Sequence, residues 1–333
     1  MITLPKAGRG RRSAAREAQY QEELAAFCEG ILEIRARLDF DVSARGWCYM
    51  LEKDGLLKGD FDAAERLICE CRKLGLLPFD IVADDSARQW DGLEYVDDTS
   101  PEEEAAGIIK DISYAHLHYQ PVSFWENQDC YLELLAEKVD LKGLFAPICE
   151  RYSIPIANAR GTWDLNMRVA MIRRFQHWEQ RGKQCVLLYC GDHDPSGLVI
   201  GERLKDNIKD TVAAGWDPRN LVVDRFGLNF DFIAENGLTW IDNLATGSGK
   251  DLADPTHHDH HKPYVQDYLE RFGVRKCEAN ALVVAREAGR RLCEEAIEKY
   301  VDQDAVIEFK RAIDDAREEV RREIADRMEA GQW

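Results

Sequence analysis

Cys185-Val-Leu-Leu-Tyr-Cys-Gly-Asp-His-Asp-Pro-Ser-Gly197 is the stretch on which the fold of this chain turns. Its first six residues form an uninterrupted apolar run, the pattern of a strand buried on both faces. Asp192-His-Asp194 follows, then Pro195-Ser-Gly197 and a helical pattern from Leu198. Side chains two apart on extended backbone point the same way, so Asp192 and Asp194 share a face. Carboxylates brought together need a cation, and hard oxygen donors suit magnesium. The carboxyl end of a buried strand is also where open α/β sheets bind their ligands. The spacing therefore predicts a magnesium site at the end of this strand.

Strands and helices alternate on either side of it. Cys130–Ala136 reads as a strand running into Glu137-Lys138, Val139–Tyr152 as a helix, and Ile154–Ala159 as a strand ending in Arg160-Gly161. A helix from Trp163 to Gln180 precedes the quoted strand, and a helix Ser196–Ala214 and a strand Leu221–Arg225 follow it. This alternation predicts βαβ units and a mainly parallel, Rossmann-like sheet. Glu137 then ends the first strand at the edge where Asp192 and Asp194 end the third, so three carboxylates converge. Lys138 and His193 flank them as candidate phosphate contacts, although His193 points out of line with the two aspartates. Arg160 ends the middle strand at the same edge. Arg168, Arg173 and Arg174 on the next helix offer either part of a DNA groove or a solvated face. Residues 121–333 form this α/β domain, closed by helices Ala281–Tyr300 and Val306–Ala330. The last helix carries Phe309, Ile313, Ala316, Val320, Ile324 and Met328 on one face, which either packs on its own domain, the preferred reading, or forms a dimer contact.

The N-terminal part reads differently. Residues 1–18 are a basic tail (Lys6, Arg9, Arg11, Arg12, Arg16). Residues 19–90 contain three helices, Glu17–Leu38 (its first residues overlapping the tail), Ala44–Lys53 and Ala63–Leu74, then a short strand and turn at Leu76–Val82, a winged-helix-like order. Residues 91–120 are an acidic linker with a helix at Ile108–Leu117. At 333 residues the chain has room for two or three domains. Its net charge of −18 excludes indiscriminate nucleic-acid binding, so any DNA contact rests on local basic patches. No apolar run reaches the roughly 20 residues of a membrane span. Ten cysteines scattered through apolar segments suit a reduced, cytoplasmic protein. His257-His-Asp-His-His261 is either a transition-metal tract or a mobile exposed loop.

Leu135-Ala-Glu-Lys-Val-Asp-Leu141 and Leu188-Tyr-Cys-Gly-Asp-His-Asp-Pro-Ser-Gly197 resemble the two acidic motifs of Toprim domains. With the winged-helix-like region in front, the order is similar to the A subunit of type IIB topoisomerase (topoisomerase VI) and its meiotic double-strand-break relatives, in the stand-alone form of bacteria and mobile elements. Trp125-Glu-Asn-Gln128, Leu77-Pro-Phe-Asp-Ile-Val82 and Cys277-Glu-Ala-Asn-Ala-Leu282 extend the resemblance over about residues 20–300. It implies Mg2+ held by Glu137, Asp192 and Asp194, cleavage of double-stranded DNA by a nucleoid-associated homodimer, and a separate ATPase subunit for any strand passage. It also implies a nucleophilic tyrosine. Arg45-Gly-Trp-Cys-Tyr49 keeps the family's arginine and final tyrosine, with Gly46 and Cys48 replacing its acidic and first aromatic residues. Arg45, one turn before Tyr49, would stabilise the phenolate or hold phosphate. Two other readings stay open: a Toprim nuclease that uses metal-activated water, with Tyr49 structural, and a DNA- or partner-binding module without catalysis.

Overall fold

Two apolar runs form the middle of a four-stranded sheet in which every pairing is parallel. The computed structural model describes residues 4–5, 13–53, 55–83, 98–159, 165–246 and 250–331. Strands β1 (Cys130–Ala136), β2 (Ile156–Asn158), β3 (Gln184–Cys190) and β4 (Val222–Gly227) lie in the order β2-β1-β3-β4. β1 and β3 are buried along their length and run in register from Cys130↔Gln184 to Ala136↔Cys190. Their carboxyl ends therefore finish side by side. The chain turns outward in opposite directions from this pair, to β2 on one side and β4 on the other. That is the switch point at which open α/β sheets leave a ligand crevice.

Helices cover both faces of the sheet. Helix α5 (Val139–Arg151) packs with α12 (Arg286–Glu298) on one face, and α6 (Leu165–Glu179) and α8 (Ile200–Lys209) lie on the other. The helix expected at Ser196–Ala214 is broken. A single turn, α7 (Pro195–Leu198), leads into α8, and a 3-10 turn at Val212–Ala214 ends the segment. Ala281–Tyr300 is likewise split into α11 (Ala281–Val284) and α12 by Ala285, whose ψ of 44° leaves the helical region. The remaining helices are α9 (Phe230–Glu235), α10 (Pro263–Phe272) and α13 (Gln303–Glu329). Gln128, fully buried, accepts from Asp302 N–H at 2.8 Å and donates to Asp302 O at 3.1 Å, which fastens the start of α13. Along α13, Ile313 is buried, whereas Phe309, Ala316, Val320, Ile324 and Met328 are only half-buried.

Three helices precede the sheet: α1 (Ala14–Arg35), α2 (Ala44–Glu52) and α3 (Phe61–Lys73); α4 (Pro101–Tyr114) follows them. The strand expected at Leu76–Val82 is instead a 3-10 turn at Phe79–Ile81. Pro78 has no N–H to give a ladder. Two side chains take the carbonyls, Trp47 Nε1 that of Ile81 and Arg72 Nη2 that of Phe79. Of the basic tail, Lys6, Arg9, Arg11 and Arg12 lie outside the described residues. Among the described residues no helix is long and apolar enough to cross a membrane.

The N-terminal helices are latched to the sheet by Asp140, in the first turn of α5. Its buried carboxylate accepts from Ser43 N–H and Ser43 Oγ, each at 2.7 Å, while Ser43 Oγ caps α2 by accepting from Gly46 N–H. Gly46 fits under this clamp because a Cβ there would lie 2.9 Å from the Asp140 carboxylate. Asp140→Ala is expected to lower unfolding free energy by about 2–3 kcal/mol, because it removes two hydrogen bonds to a charged group. Ser43→Ala removes a cap as well as one clamp bond and should cost about 1–2 kcal/mol. Urea melts of both variants check this; an Asp140→Ala protein as stable as wild type would contradict the latch.

Candidate active site at the sheet edge

Ala136 and Cys190 are paired, so the next residue of each strand leaves the sheet at the same level, and Glu137 N–H donates to Cys190 O at 2.9 Å. Glu137 turns its side chain across the gap. Its Oε2 accepts from Asp192 N–H at 2.8 Å and from the Tyr189 hydroxyl at 3.0 Å. Gly191 makes that crossing possible: a Cβ there would stand 2.4 Å from Glu137 Oε2. Lys138 closes the pair, its ammonium 3.1 Å from Glu137 Oε1 and 2.8 Å from Asp192 Oδ2. The second Asp192 oxygen accepts from Ala279 N–H at 2.8 Å. Asp194 caps α7, its Oδ1 accepting from Gly197 N–H at 2.6 Å. Gly197 is needed here, since a Cβ would fall 2.1 Å from Asp192 O.

Arg225, at the end of β4, holds this loop from beneath. Its guanidinium donates to the carbonyls of Gly197 (2.9 Å), Asp192 (3.0 Å) and Leu228 (2.7 Å). The loop backbone is thereby fixed by a half-buried cation whose bonds within it go to carbonyls. Sequence reading passes over Arg225 because it looks like the polar end of a strand.

The charge balance follows from burial. Burial raises the pKa of Asp192 to about 6, Lys138 opposing the shift and Glu137 adding to it. For Glu137, burial also favours the neutral form, but Lys138 and the Asp192 N–H outweigh it and hold the carboxyl below its ordinary value. Burial raises Asp194, with the Gly197 N–H working against it. Burial disfavours the Lys138 ammonium, yet Asp192 and Glu137 together keep its pKa above the usual lysine value.

A second segment supplies the opposite wall. His193 and Cys277 form an isolated antiparallel bridge, His193 N–H to Cys277 O at 2.8 Å and Cys277 N–H to His193 O at 3.1 Å. Side chains alternate along both strands of such a bridge, so the neighbours of His193 and of Cys277 turn to one face. Those neighbours are Asp192 and Asp194 on one strand, Lys276 and Glu278 on the other. All four, with Lys138, Ser196, Leu244, Ala245 and Thr246, line a cleft of about 340 Å³. Lys276 Nζ lies 3.9 Å from Glu278 Oε1 and donates to Ala245 O at 2.8 Å. Burial raises the Glu278 pKa, and the charge of Arg45 opposes that shift. Sequence reading missed Lys276 and Glu278 as site residues. The segment Cys277–Leu282 stood out only as part of a resemblance, and the bridge that turns it toward Asp192 has no local signal.

His193 itself goes the other way. It is 1% exposed, its Nδ1 2.9 Å from the Tyr268 hydroxyl and its ring set among Trp240, Tyr268 and Phe272. Burial, helped by Arg225, lowers its pKa to about 4, so the ring is a neutral packing group and not a phosphate contact. Arg174 is also used elsewhere. It makes a bidentate pair with the buried Glu133 of β1, at 2.8 and 2.7 Å. Arg168 Nη1 donates to Asn207 O at 2.9 Å and Thr211 Oγ1 at 3.3 Å, tying α6 to α8. Arg173 is exposed on α6, and Arg160 lies outside the described residues.

Tyr49 is 3% exposed, edge-on to Phe61 with ring centres 5.1 Å apart. Arg45, on the same face of α2, is paired with Asp62 (3.3 Å) and Glu65 (3.1 Å) and lies over the Phe61 ring. The structure thus places Tyr49 in the core of the N-terminal helices and Arg45 at their surface.

The segment His257–His261 is folded into turns and not an open loop. His257 is 5% exposed, and His260 Nδ1 lies 2.8 Å from Leu252 O. Among the described residues, His257, His258 and Asp259 are the group whose donor atoms all lie within 4.8 Å of one another; Glu137, Asp192 and Asp194 are more widely spread. His257 Nδ1, however, accepts from Asp259 N–H, and the Asp259 carboxylate faces Lys262 and His258.

Because the folded-state pKa of Asp192 lies above its ordinary value, its contribution to stability is present at low pH and lost as pH rises through about 6. Lys138 limits that loss. Lys138→Met should therefore destabilise the protein less at about pH 5, where Asp192 is largely neutral and Glu137 alone loses its partner, than at about pH 8, where the cost is on the order of 3 kcal/mol. Urea melts at the two pH values read this out; equal destabilisation at both would contradict the assignment. No protein-family model matches the chain, and no curated protein sequence matches it.

Proposed function

We propose that this chain is a Toprim-type nuclease that hydrolyses double-stranded DNA with the help of a magnesium ion, water serving as the nucleophile. The observation that carries the reading is the cleft at the switch point of the sheet, where Asp192, Asp194 and Glu278 face Lys138 and Lys276. Three features suit a divalent cation there. The donors are hard oxygens. Burial of Asp192 and Asp194 creates a demand for positive charge. Lys138, which meets that demand between Glu137 and Asp192, is a side chain able to swing toward phosphate when a metal takes its place.

In this reading Asp192 and Asp194 at the cleft, with Glu137 beside them, would hold the ion, drawing in from their present wider spacing. When bound, magnesium stabilises the charge that develops on the phosphate and the leaving oxygen. Lys276 and Lys138 position the scissile phosphate by charge. Glu278, on the wall opposite Asp192, accepts the proton of the attacking water. The N-terminal helices, the winged-helix-like unit of the resemblance, contact the duplex beside the cleft. Support for water over a tyrosine comes from Tyr49, whose ring is 3% exposed and packed on Phe61.

Incubation with supercoiled plasmid and magnesium tests the proposal. Nicked and linear DNA should appear with free ends, unchanged in Tyr49→Phe, lost in Asp192→Ala and slowed about 100-fold in Glu278→Gln. Protein covalently attached to DNA ends, and absent with Tyr49→Phe, would overturn hydrolysis in favour of transesterification. Duplex binding without any cleavage would overturn both.

A further inference from the structure

A cavity of about 300 Å³ lies apart from the cleft, where the ends of α1 and α2 meet the junction of α11 and α12. Its volume is at the small end of the range that encloses organic ligands. The floor is apolar: Met50 and Val283 are buried, and Ile34, Leu38 and Val284 are half-buried around them. The rim is cationic. Arg37 follows α1, Lys53 follows α2, and Arg286 opens α12. Long basic side chains of this kind lay their stems along apolar walls and keep their charge at the mouth.

Little of this charge is spent inside the protein. Arg37 Nη2 is 4.0 Å from Glu33 Oε2, and both side chains are well exposed, so the pair is worth little in water. Lys53 makes no ion pair among the described residues. Arg286 Nη1 donates to Arg37 O at 2.6 Å, which ties the rim together, and its Nε is 3.5 Å from the exposed Glu287. Asp39, beside Leu38, is taken by Arg290 at 2.8 Å. The chain has 62 acidic residues against 44 basic ones, yet the described lining of this cavity holds three cations and no carboxylate. An apolar floor under such a rim is complementary to a small organic anion: the body leaves water, and the acidic group meets guanidinium and ammonium donors. An occupant would also clamp α1 and α2 to the segment whose Ala279 N–H holds Asp192.

We propose that this cavity binds a small organic acid, its apolar body seated on Ile34, Met50 and Val283 and its carboxylate, sulfonate or phosphate group held by Arg37, Lys53 and Arg286. The inference is independent of the proposed nuclease activity. Anilinonaphthalene sulfonate, an apolar anion whose fluorescence rises on leaving water, is the probe. Phenylnaphthylamine, which lacks the sulfonate, is its uncharged counterpart. Titration of the full-length protein should show one anion bound per chain, at least about 10-fold tighter than the uncharged compound. Arg37→Glu and Lys53→Glu, both at exposed positions, should each weaken binding by about 10-fold or more while leaving the circular dichroism spectrum unchanged. Arg173→Glu reverses an exposed cation on α6 and should leave the affinity as it is. Val284→Phe, which fills the cavity, should remove saturable binding. No saturable binding, an uncharged compound bound as tightly as the anion, or an affinity indifferent to both rim substitutions would each overturn the proposal. So would a loss in Arg173→Glu equal to that in Arg37→Glu.

Discussion

Two carboxylates at the end of adjacent parallel strands repel each other, and the whole sheet edge is arranged around that repulsion. Glu137 and Asp192 are brought together because Ala136 and Cys190 are in register. They stay together because Lys138 stands between them and because backbone N–H groups of Asp192 and Ala279 fill the remaining oxygens. Glycine at 191 and 197 lets the loop approach this closely, and Arg225 pins its backbone from below. The paired carboxylates are compensated by a single cation, the Lys138 ammonium.

The same edge couples the two parts of the chain. Lys138 is the residue immediately before α5, and Asp140 in the first turn of that helix holds the cap of α2. The N-terminal helices therefore take their position from the segment that carries the carboxylate clamp. Arg45 and Glu278 sense each other's charge across this junction. A change in the cleft has a short physical route to the helices that precede it.

Much of this was readable in the residues. Continuous apolar runs gave β1 and β3, and the alternation of strands and helices gave a parallel sheet whose ends place Glu137 beside Asp192. What remained hidden depended on distant partners. Lys276 and Glu278 reach the cleft through a bridge of one residue pair, too short for any periodic signal. Arg174 looks like an exposed helix cation until Glu133, concealed in an apolar strand, is seen to claim it. His193 sits between two site residues, but alternation turns it into an aromatic box. Leu76–Val82 has strand-like composition, yet Pro78 and two side-chain donors make it a turn.

In the proposed function the carboxylates at the sheet edge hold one divalent cation. Titration of manganese into the protein, followed by the electron paramagnetic resonance signal of the free ion, tests this without reference to DNA or catalysis. One bound ion per chain, lost in Asp192→Asn and in Asp194→Asn but retained when His257 and His258 are changed to alanine, is the predicted result. Binding that survives both aspartate substitutions, or no binding at all, would contradict the account.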